Sequence, residues 1–278
     1  MSSLVADDPP VFARLAMVVS DSATITKRNV IKIRRVPDVL IFSTLSPIMF
    51  VLLFAYIFGS AIKLEGTSYR EFLIAGIFAQ TAVFGATFTG SSLAEDMQKG
   101  IIDRFRSLPM APVAVLVGRT VADVVINVVS LVVMSVTGLL IGWRIRGSLL
   151  DGVLGYVLLL LFAYAVSWMM AVVGLLVRAP EVFNNASFMV IFPLTFIANT
   201  FVPSRELPTP LRVFAEWNPV SAVTQATRDL FGNTSPMMPG PDVWSMRHPV
   251  ATTLIWVVVL LAVFVPLSLR QFKRTVSR

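Results

Sequence analysis

The sequence predicts an all-α integral membrane protein, and two observations carry this prediction. Hydrophobic residues make up 56% of the 278 residues, charged residues make up only 14%, and the mean hydropathy is +0.79, which is outside the usual range of soluble domains. The apolar runs also show no alternation of polar and apolar residues, which favours helices over the strands of a transmembrane barrel.

Six apolar runs are long enough to cross about 30 Å of hydrocarbon, which takes roughly 20 residues as a helix. In chain order they cover residues 39–62, 72–94, 124–143, 152–177, 182–204 and 249–269. We therefore expect six transmembrane helices in a single membrane domain of residues 1–278, without a soluble catalytic module.

The distribution of positive charge predicts the orientation, because cytoplasmic segments close to membrane spans retain Lys and Arg. Of the 23 basic residues, 15 fall on the side that carries both termini and 8 on the other side. We expect both termini in the cytoplasm and residues 203–248 outside the cell. This asymmetry accounts for the net charge of +7, so nucleic-acid binding is not needed to explain it.

The residue types exclude several kinds of chemistry. The chain has no cysteine and a single histidine, His248, so thiolate sites and a His-based zinc cluster have no ligands to draw on. Ser91 and Ser92 are predicted on the opposite side of the membrane from His248, which argues against an intramembrane serine protease. No GxxxxGK[ST] phosphate loop is present. Any ATP must therefore be bound by a partner.

Asp123, at the cytoplasmic end of the third predicted span, is the one candidate for an intramembrane carboxylate. An intramembrane carboxylate is often functional. It follows Arg119 by one helical turn, so the two side chains can pair at i, i+4. We favour a structural Arg119–Asp123 pair over a proton relay.

The N-terminal segment 11–35 predicts an amphipathic helix that lies along the membrane surface. A mainly apolar face recurs at helical spacing and leads into a basic stretch before Pro37. The basic residues are Lys27, Arg28, Lys32, Arg34 and Arg35. Such a helix anchors to anionic lipid or contributes to a protein interface, and the residues alone leave both open.

The segment 95–108 predicts a short cytoplasmic helix. Its acids, beginning with Glu95, favour the helix N-terminus, whereas Arg104 and Arg106 favour the C-terminus before Pro109. The apolar residues Ile101, Phe105 and Leu108 form one stripe. That stripe fits either a partner groove or the protein's own surface.

Residues 203–248 predict an external segment with short helices before the last span. In "NPVSAVTQATRDLFG", four residues at helical spacing form one face, and Trp217 and Trp244 suit a membrane interface. That face comprises Val220, Val223, Thr227 and Leu230. We interpret the segment as a helical lid over the exit, with a plain surface loop as the alternative.

The stretch "GIIDRFRSLPMAPVAVLVGRT" resembles the cytoplasmic loop of ABC type-2 transporter permeases, particularly the daunorubicin-resistance group of drug exporters. The similarity covers most of the chain, including "SYREFLIAGI" and "TFVPSRELPTPLRVFAEWNPVSAVTQATRDLFG". The resemblance implies a bacterial cytoplasmic membrane protein with six spans that forms a homodimer or a related heterodimer. It also implies two separate ABC ATP-binding subunits, which bind ATP and magnesium and dock on this loop.

The resemblance assigns roles to particular residues. It makes segment 11–35 a connecting helix and segment 95–108 the coupling helix. The residues implied in coupling to the ATPase are Glu95, Gly100, Ile101, Arg104, Phe105, Arg106, Leu108 and Pro109.

The sequence as a whole predicts the membrane-spanning subunit of an ATP-driven exporter of hydrophobic or amphipathic compounds, such as a drug, an antibiotic or a lipid. Export of lipid-linked glycans or cell-wall lipids is the alternative within transport, and a secondary carrier or a membrane enzyme is the alternative outside it. Candidate residues of an apolar substrate cavity are Thr81, Phe84, Phe88, Asn184, Phe188, Phe192 and Asn199. Packing is the other interpretation of these phenylalanines.

Overall fold

The computed structural model describes residues 11–35, 37–58, 68–101, 112–177, 179–234 and 240–276, which form helices and no strands. The all-α prediction is confirmed for this part of the chain. The longer helices are α1 (Val11–Arg35), α2 (Pro37–Leu53), α3 (Tyr69–Gly85), α4 (Thr87–Gln98), α5 (Pro112–Leu140), α6 (Leu149–Leu176), α7 (Pro180–Phe196), α8 (Thr209–Trp217), α9 (Pro219–Leu230) and α11 (Pro249–Val276). The short helix α10 covers Trp244–Arg247, a π-helical turn covers Phe54–Phe58 and a 3₁₀ turn covers Ser204–Glu206.

Four helices of the described chain are long and apolar enough to cross a membrane. They cover Tyr69–Gln98, which comprises α3 and α4, Val113–Leu140, Leu149–Leu176 and Pro249–Arg274. The chain is therefore a multi-pass membrane protein. The first predicted span contains a shorter apolar helix, and the fifth contains the 17-residue helix α7, so the number of six spans stays a prediction.

Helix α6 lies at the centre of the bundle, where it packs against α4, α5, α9 and α11. It approaches α4 most closely at two glycines, because a Cβ atom built on Gly174 would lie 2.4 Å from the carbonyl oxygen of Gly90. Small residues at such crossings allow helices in a membrane to come into backbone contact. Gly85 allows a similar close approach to α5, since a Cβ there would lie 2.3 Å from Asn127 Oδ1.

Helix α1 packs along the first turns of α5. Ser22 and Ile25 are buried there against Gly118, whose missing side chain leaves room for them, and Thr26 Oγ1 donates a hydrogen bond of 3.1 Å to the Gly118 carbonyl. The helix predicted over residues 11–35 is therefore present, and part of its apolar face covers another helix of the same chain.

Helix α9 is buried on nearly all sides, between α3, α6 and α11. The predicted apolar face is inside, with Val220, Val223 and Thr227 fully buried. The other faces are buried as well, since Ser221 and Thr224 are fully buried, and the role of this helix as a lid over the exit stays a prediction. Small side chains allow neighbouring helices to surround α9. Trp217 and Trp244, at the ends of this region, are about half exposed.

Candidate transport cavity and coupling region

A cavity of about 630 Å³ lies between α2, α3, α4, α5 and α7, which is within the usual size range of small-molecule sites. Six of its lining residues are phenylalanines, and no Lys, Arg, Asp or Glu of the described chain lines it. The lining residues are Ser46, Pro47, Phe50, Gln80, Thr81, Phe84, Gly85, Thr87, Phe88, Ser130, Phe188, Phe192 and Phe196.

Five of the seven residues proposed for a cavity from the sequence line this space, namely Thr81, Phe84, Phe88, Phe188 and Phe192. The other two do not. Asn184 is exposed on α7. Asn199 is buried beneath α9, where its backbone N–H donates to Ser221 Oγ at 2.8 Å and its side-chain amide donates to Gln225 Oε1 at 3.1 Å.

Gln80 is the cavity residue that the sequence analysis missed and that bears most on binding. Its side chain is 5% exposed, and Oε1 has no hydrogen-bond partner in the described structure; the same holds for the neighbouring Thr81 Oγ1. An amide within a predicted span could have been noticed, because buried polar groups normally have partners. Both residues line the cavity, so these unpartnered polar atoms belong to residues of its wall.

A stack of phenylalanine rings extends from the cavity wall to Phe201 and Phe54. The ring centroids of Phe192 and Phe196 are 4.2 Å apart, those of Phe196 and Phe201 are 5.0 Å apart, and those of Phe54 and Phe201 are 4.6 Å apart. Phe54 belongs to the π-helical turn, a feature that is frequent at functional sites. Phe192 and Phe196 belong both to this stack and to the cavity wall.

The regular helix of the second span is interrupted at Ala86, beside the cavity. Two side chains take up backbone groups there: the Thr89 N–H donates to Asp123 Oδ2 at 2.9 Å, and Thr87 Oγ1 donates to the Phe84 carbonyl at 2.7 Å. Asp123 is therefore bound to the backbone of α4. A carboxylate is favoured at that position because the N-terminus of a helix carries partial positive charge.

The predicted Arg119–Asp123 pair is wrong. Arg119 forms its ion pair with Asp96 of α4, and both side chains are 5% exposed. The i, i+4 spacing identified two groups that could meet within one helix. It could not show that α4 presents an acid to Arg119 and a backbone N–H to Asp123. Arg28 of α1 also lies 3.9 Å from Asp96.

Arg228 of α9 is a fully buried cation that the sequence analysis did not single out. Its guanidinium donates to the carbonyls of Phe72 at 2.9 Å and Thr200 at 3.2 Å, and it lies 3.5 Å from the centroid of the Phe72 ring. Burial lowers the pKa of Arg228 to about 9, so the side chain stays charged at neutral pH. These contacts join α9 to the first turn of α3.

The comparison with protein families decides what this bundle belongs to. A family model described as ABC-2 type transporter matches residues 22–231. The chain belongs to the ABC-2 type transporter family. It is thus an ABC permease, a transport component rather than an enzyme, and it works with an ABC ATP-binding subunit.

Individual relatives of this permease carry related names. A daunorubicin resistance ABC transporter permease, DrrB1 of Streptomyces coeruleorubidus, is 34% identical over 94% of this chain and 89% of its own length. A probable doxorubicin resistance ABC transporter permease, DrrC of Mycobacterium tuberculosis, is 23% identical over 76% of this chain and 72% of its own. A putative transport permease of Pyropia yezoensis is 23% identical over 78% and 76%.

The segment predicted to couple the permease to the ATPase begins differently from the prediction. Glu95 lies in α4, which ends at Gln98, and Glu95 Oε1 lies 2.5 Å from Lys99 Nζ. Gly100 follows with a φ of 63°, a left-handed conformation that ends helices and suits glycine. One continuous helix over 95–108 is therefore wrong. Ile101 is described, whereas Arg104, Phe105, Arg106, Leu108 and Pro109 lie outside the described residues.

The basic residues of α1 in the permease are described only in part. Lys27 and Arg28 are exposed on the helix surface, and Lys27 lines an apolar groove that α1 forms with Val121 of α5. Lys32, Arg34 and Arg35 lie in α1, but their side chains are outside the described part.

Proposed function

We propose that this permease exports hydrophobic or amphipathic compounds with aromatic or ring-shaped bodies. The observation that carries this proposal is the cavity of about 630 Å³, in which six phenylalanines surround the unpartnered polar atoms of Gln80 and Thr81. Aromatic walls bind apolar rings, and sparse polar groups orient them. The names of the relatives, which refer to daunorubicin and doxorubicin resistance, support the same class of substrate.

The proposed working unit has six spans per permease and two permeases, as a homodimer or with a related chain. The open side of the cavity supports this arrangement, because Phe188 is 55% exposed and Phe192 is 40% exposed along α7. Their neighbour Met189 is 80% exposed. A second permease on this face would complete the cavity wall, as expected of a two-fold symmetric interface.

Energy is proposed to come from two ABC ATP-binding subunits, which bind ATP and magnesium. They dock on the coupling segment that follows Gly100, while α1 contributes as the connecting helix. Both termini then lie in the cytoplasm of a bacterial cell and α8 to α10 lie outside. The close contacts of α1 with α5, and of Arg28 with Asp96, support a role for α1 beside the coupling segment.

The proposed cycle is a shift between two cavity states. When ATP binds, the ATP-binding subunits dimerise and favour the permease conformation that they contact best. The phenylalanine stack of Phe54, Phe196 and Phe201 then separates and opens the cavity toward α8.

Co-purification with a candidate ABC ATP-binding subunit tests the proposal, followed by doxorubicin-stimulated ATP hydrolysis in reconstituted vesicles. We expect a stable complex whose hydrolysis rises with the drug. Transport by the permease alone on a proton gradient would refute the proposal, and stimulation by a lipid-linked glycan but not by the drug would replace the substrate class.

A further inference from the structure

The interruption of the second span lies where the cavity wall meets α5. Phe84, Thr87 and Phe88 line the cavity, and the next residue, Thr89, directs its backbone N–H to Asp123. A backbone donor without an acceptor is costly in a membrane interior. Asp123 is 4% exposed. Its carboxylate therefore takes the place of the backbone carbonyl that would accept from the Thr89 N–H in a regular helix.

The other end of α4 is joined to the same helix. Asp96, seven residues after Thr89, forms an ion pair with Arg119, one turn before Asp123. Helix α4 is thus connected to α5 at both of its ends by buried polar contacts. The close approach of Gly90 to Gly174 also joins it to α6. A displacement of the segment after Gly100 would be transmitted through α4 to the interruption at Ala86, because these contacts hold α4 against its neighbours.

We infer that Asp123 is a positioning residue for transport, which holds the interruption at Ala86 and so sets the places of Phe84 and Phe88 in the cavity wall. The inference rests on the proposed function, because it takes this cavity as the substrate path. Asp123 touches no substrate in this scheme. It acts through the backbone of α4, and it requires a hydrogen-bond acceptor at this position rather than a titrating acid.

The requirement for an acceptor can be tested with two substitutions of one size. Asp123→Asn keeps an oxygen that accepts from the Thr89 N–H, whereas Asp123→Leu removes it. In proteoliposomes with the ATP-binding subunit and the fluorescent probe doxorubicin, we expect Asp123→Leu to raise the KM of export about tenfold and Asp123→Asn to change it less than about threefold. Basal ATP hydrolysis and co-purification should change in neither variant.

A proline substitution provides the rescue. Thr89→Pro removes the N–H that Asp123 accepts, at a position where the helix is already interrupted, so no ladder bond is lost. We expect Asp123→Leu combined with Thr89→Pro to recover a KM within about threefold of wild type, whereas Thr89→Pro alone should export less well, because it leaves the buried carboxylate of Asp123 without its donor. Ala94→Pro, in the regular part of α4, should abolish export and is the matched control.

The outcomes separate this inference from the proposed function. A wild-type KM in Asp123→Leu overturns the inference, and so does a defect that Thr89→Pro does not relieve. If Asp123→Leu does not assemble, the double variant with Thr89→Pro decides, because its failure to assemble and export contradicts the inference. Failure of the wild-type complex to bind its ATPase or to export the probe would instead refute the proposed function.

Discussion

The close crossing of α4 and α6 predicts that one added methyl group at this contact destabilises the permease. A Cβ on Gly174 would lie 2.4 Å from Gly90 O and 2.7 Å from Gly90 Cα, and these are backbone atoms that cannot rotate away. Gly152, on the same helix, is the matched control, since a Cβ there would meet Ile145 at 3.5 Å, an ordinary contact. Gly174→Ala should therefore destabilise the permease, and Gly152→Ala should not.

The expected size follows from two opposing effects. Inserting a methyl group into a packed site costs about 1–3 kcal/mol, whereas replacing glycine by alanine within a helix gains about 0.5–1 kcal/mol. Because the clash is with backbone atoms, the upper part of that cost, about 2–3 kcal/mol, applies, and the net loss for Gly174→Ala is about 1–2.5 kcal/mol, which lowers the melting temperature by about 2–10 °C in a protein of this size. Gly152→Ala lacks the first effect and should leave the melting temperature unchanged or slightly higher.

Thermal unfolding of the purified permease in detergent, followed by tryptophan fluorescence, measures both variants against wild type. Export should fall with Gly174→Ala, because α4 carries Phe88 of the cavity and leads into the coupling segment. If Gly174→Ala is as stable as Gly152→Ala, the two helices do not touch at these glycines, and the positions derived for α4 are wrong.

Three further predictions concern coupling, recognition and orientation. Phe105→Asp should weaken co-purification of the ATPase about tenfold or more while permease abundance stays normal. Lys99→Ala, which removes an exposed ion pair, should change co-purification little. Equal ATPase binding in both variants would contradict the proposed coupling role of this segment. Gln80→Leu should weaken binding of doxorubicin about fivefold to tenfold in a fluorescence titration, and unchanged affinity would mean that the amide faces no ligand. Single cysteines at Gln98 and Ser148, both exposed, should respectively resist and accept an impermeant thiol reagent in intact cells, and the reverse pattern would invert the topology.

The sequence could predict features that depend on local pattern. Apolar runs identified the helices, and helical spacing brought Thr81, Phe84 and Phe88 to one cavity. Prediction from the sequence failed where a residue from another helix determines the hydrogen-bond partner of a side chain. Asn199 has the right spacing for the cavity but forms a hydrogen bond to α9. Asp123 accepts a hydrogen bond from the backbone of α4.

Two other differences have equally specific causes. The charges and the apolar stripe of 95–108 indicated one helix, but Gly100 adopts a left-handed conformation and ends α4 before it. Arg228 was not noticed because its sequence surroundings are those of a surface helix. Its burial depends on carbonyl groups from residues 72 and 200, which no local pattern reveals.

The burial of α9 on nearly all sides has a consequence for biosynthesis. One of its neighbours is α11, which follows it in the chain, and the segment between them is joined to α11 by hydrogen bonds of 3.0 Å from Thr252 Oγ1 to the carbonyls of Ser245 and His248. When α9 leaves the ribosome, part of its final surroundings has not yet been made. Its insertion between α3 and α6 is therefore completed only after α11 has been synthesised and inserted. Slowing translation between residues 230 and 249 should prolong the time during which this short helix, half of whose residues are polar, is exposed to proteases, even though every earlier span is already in the bilayer.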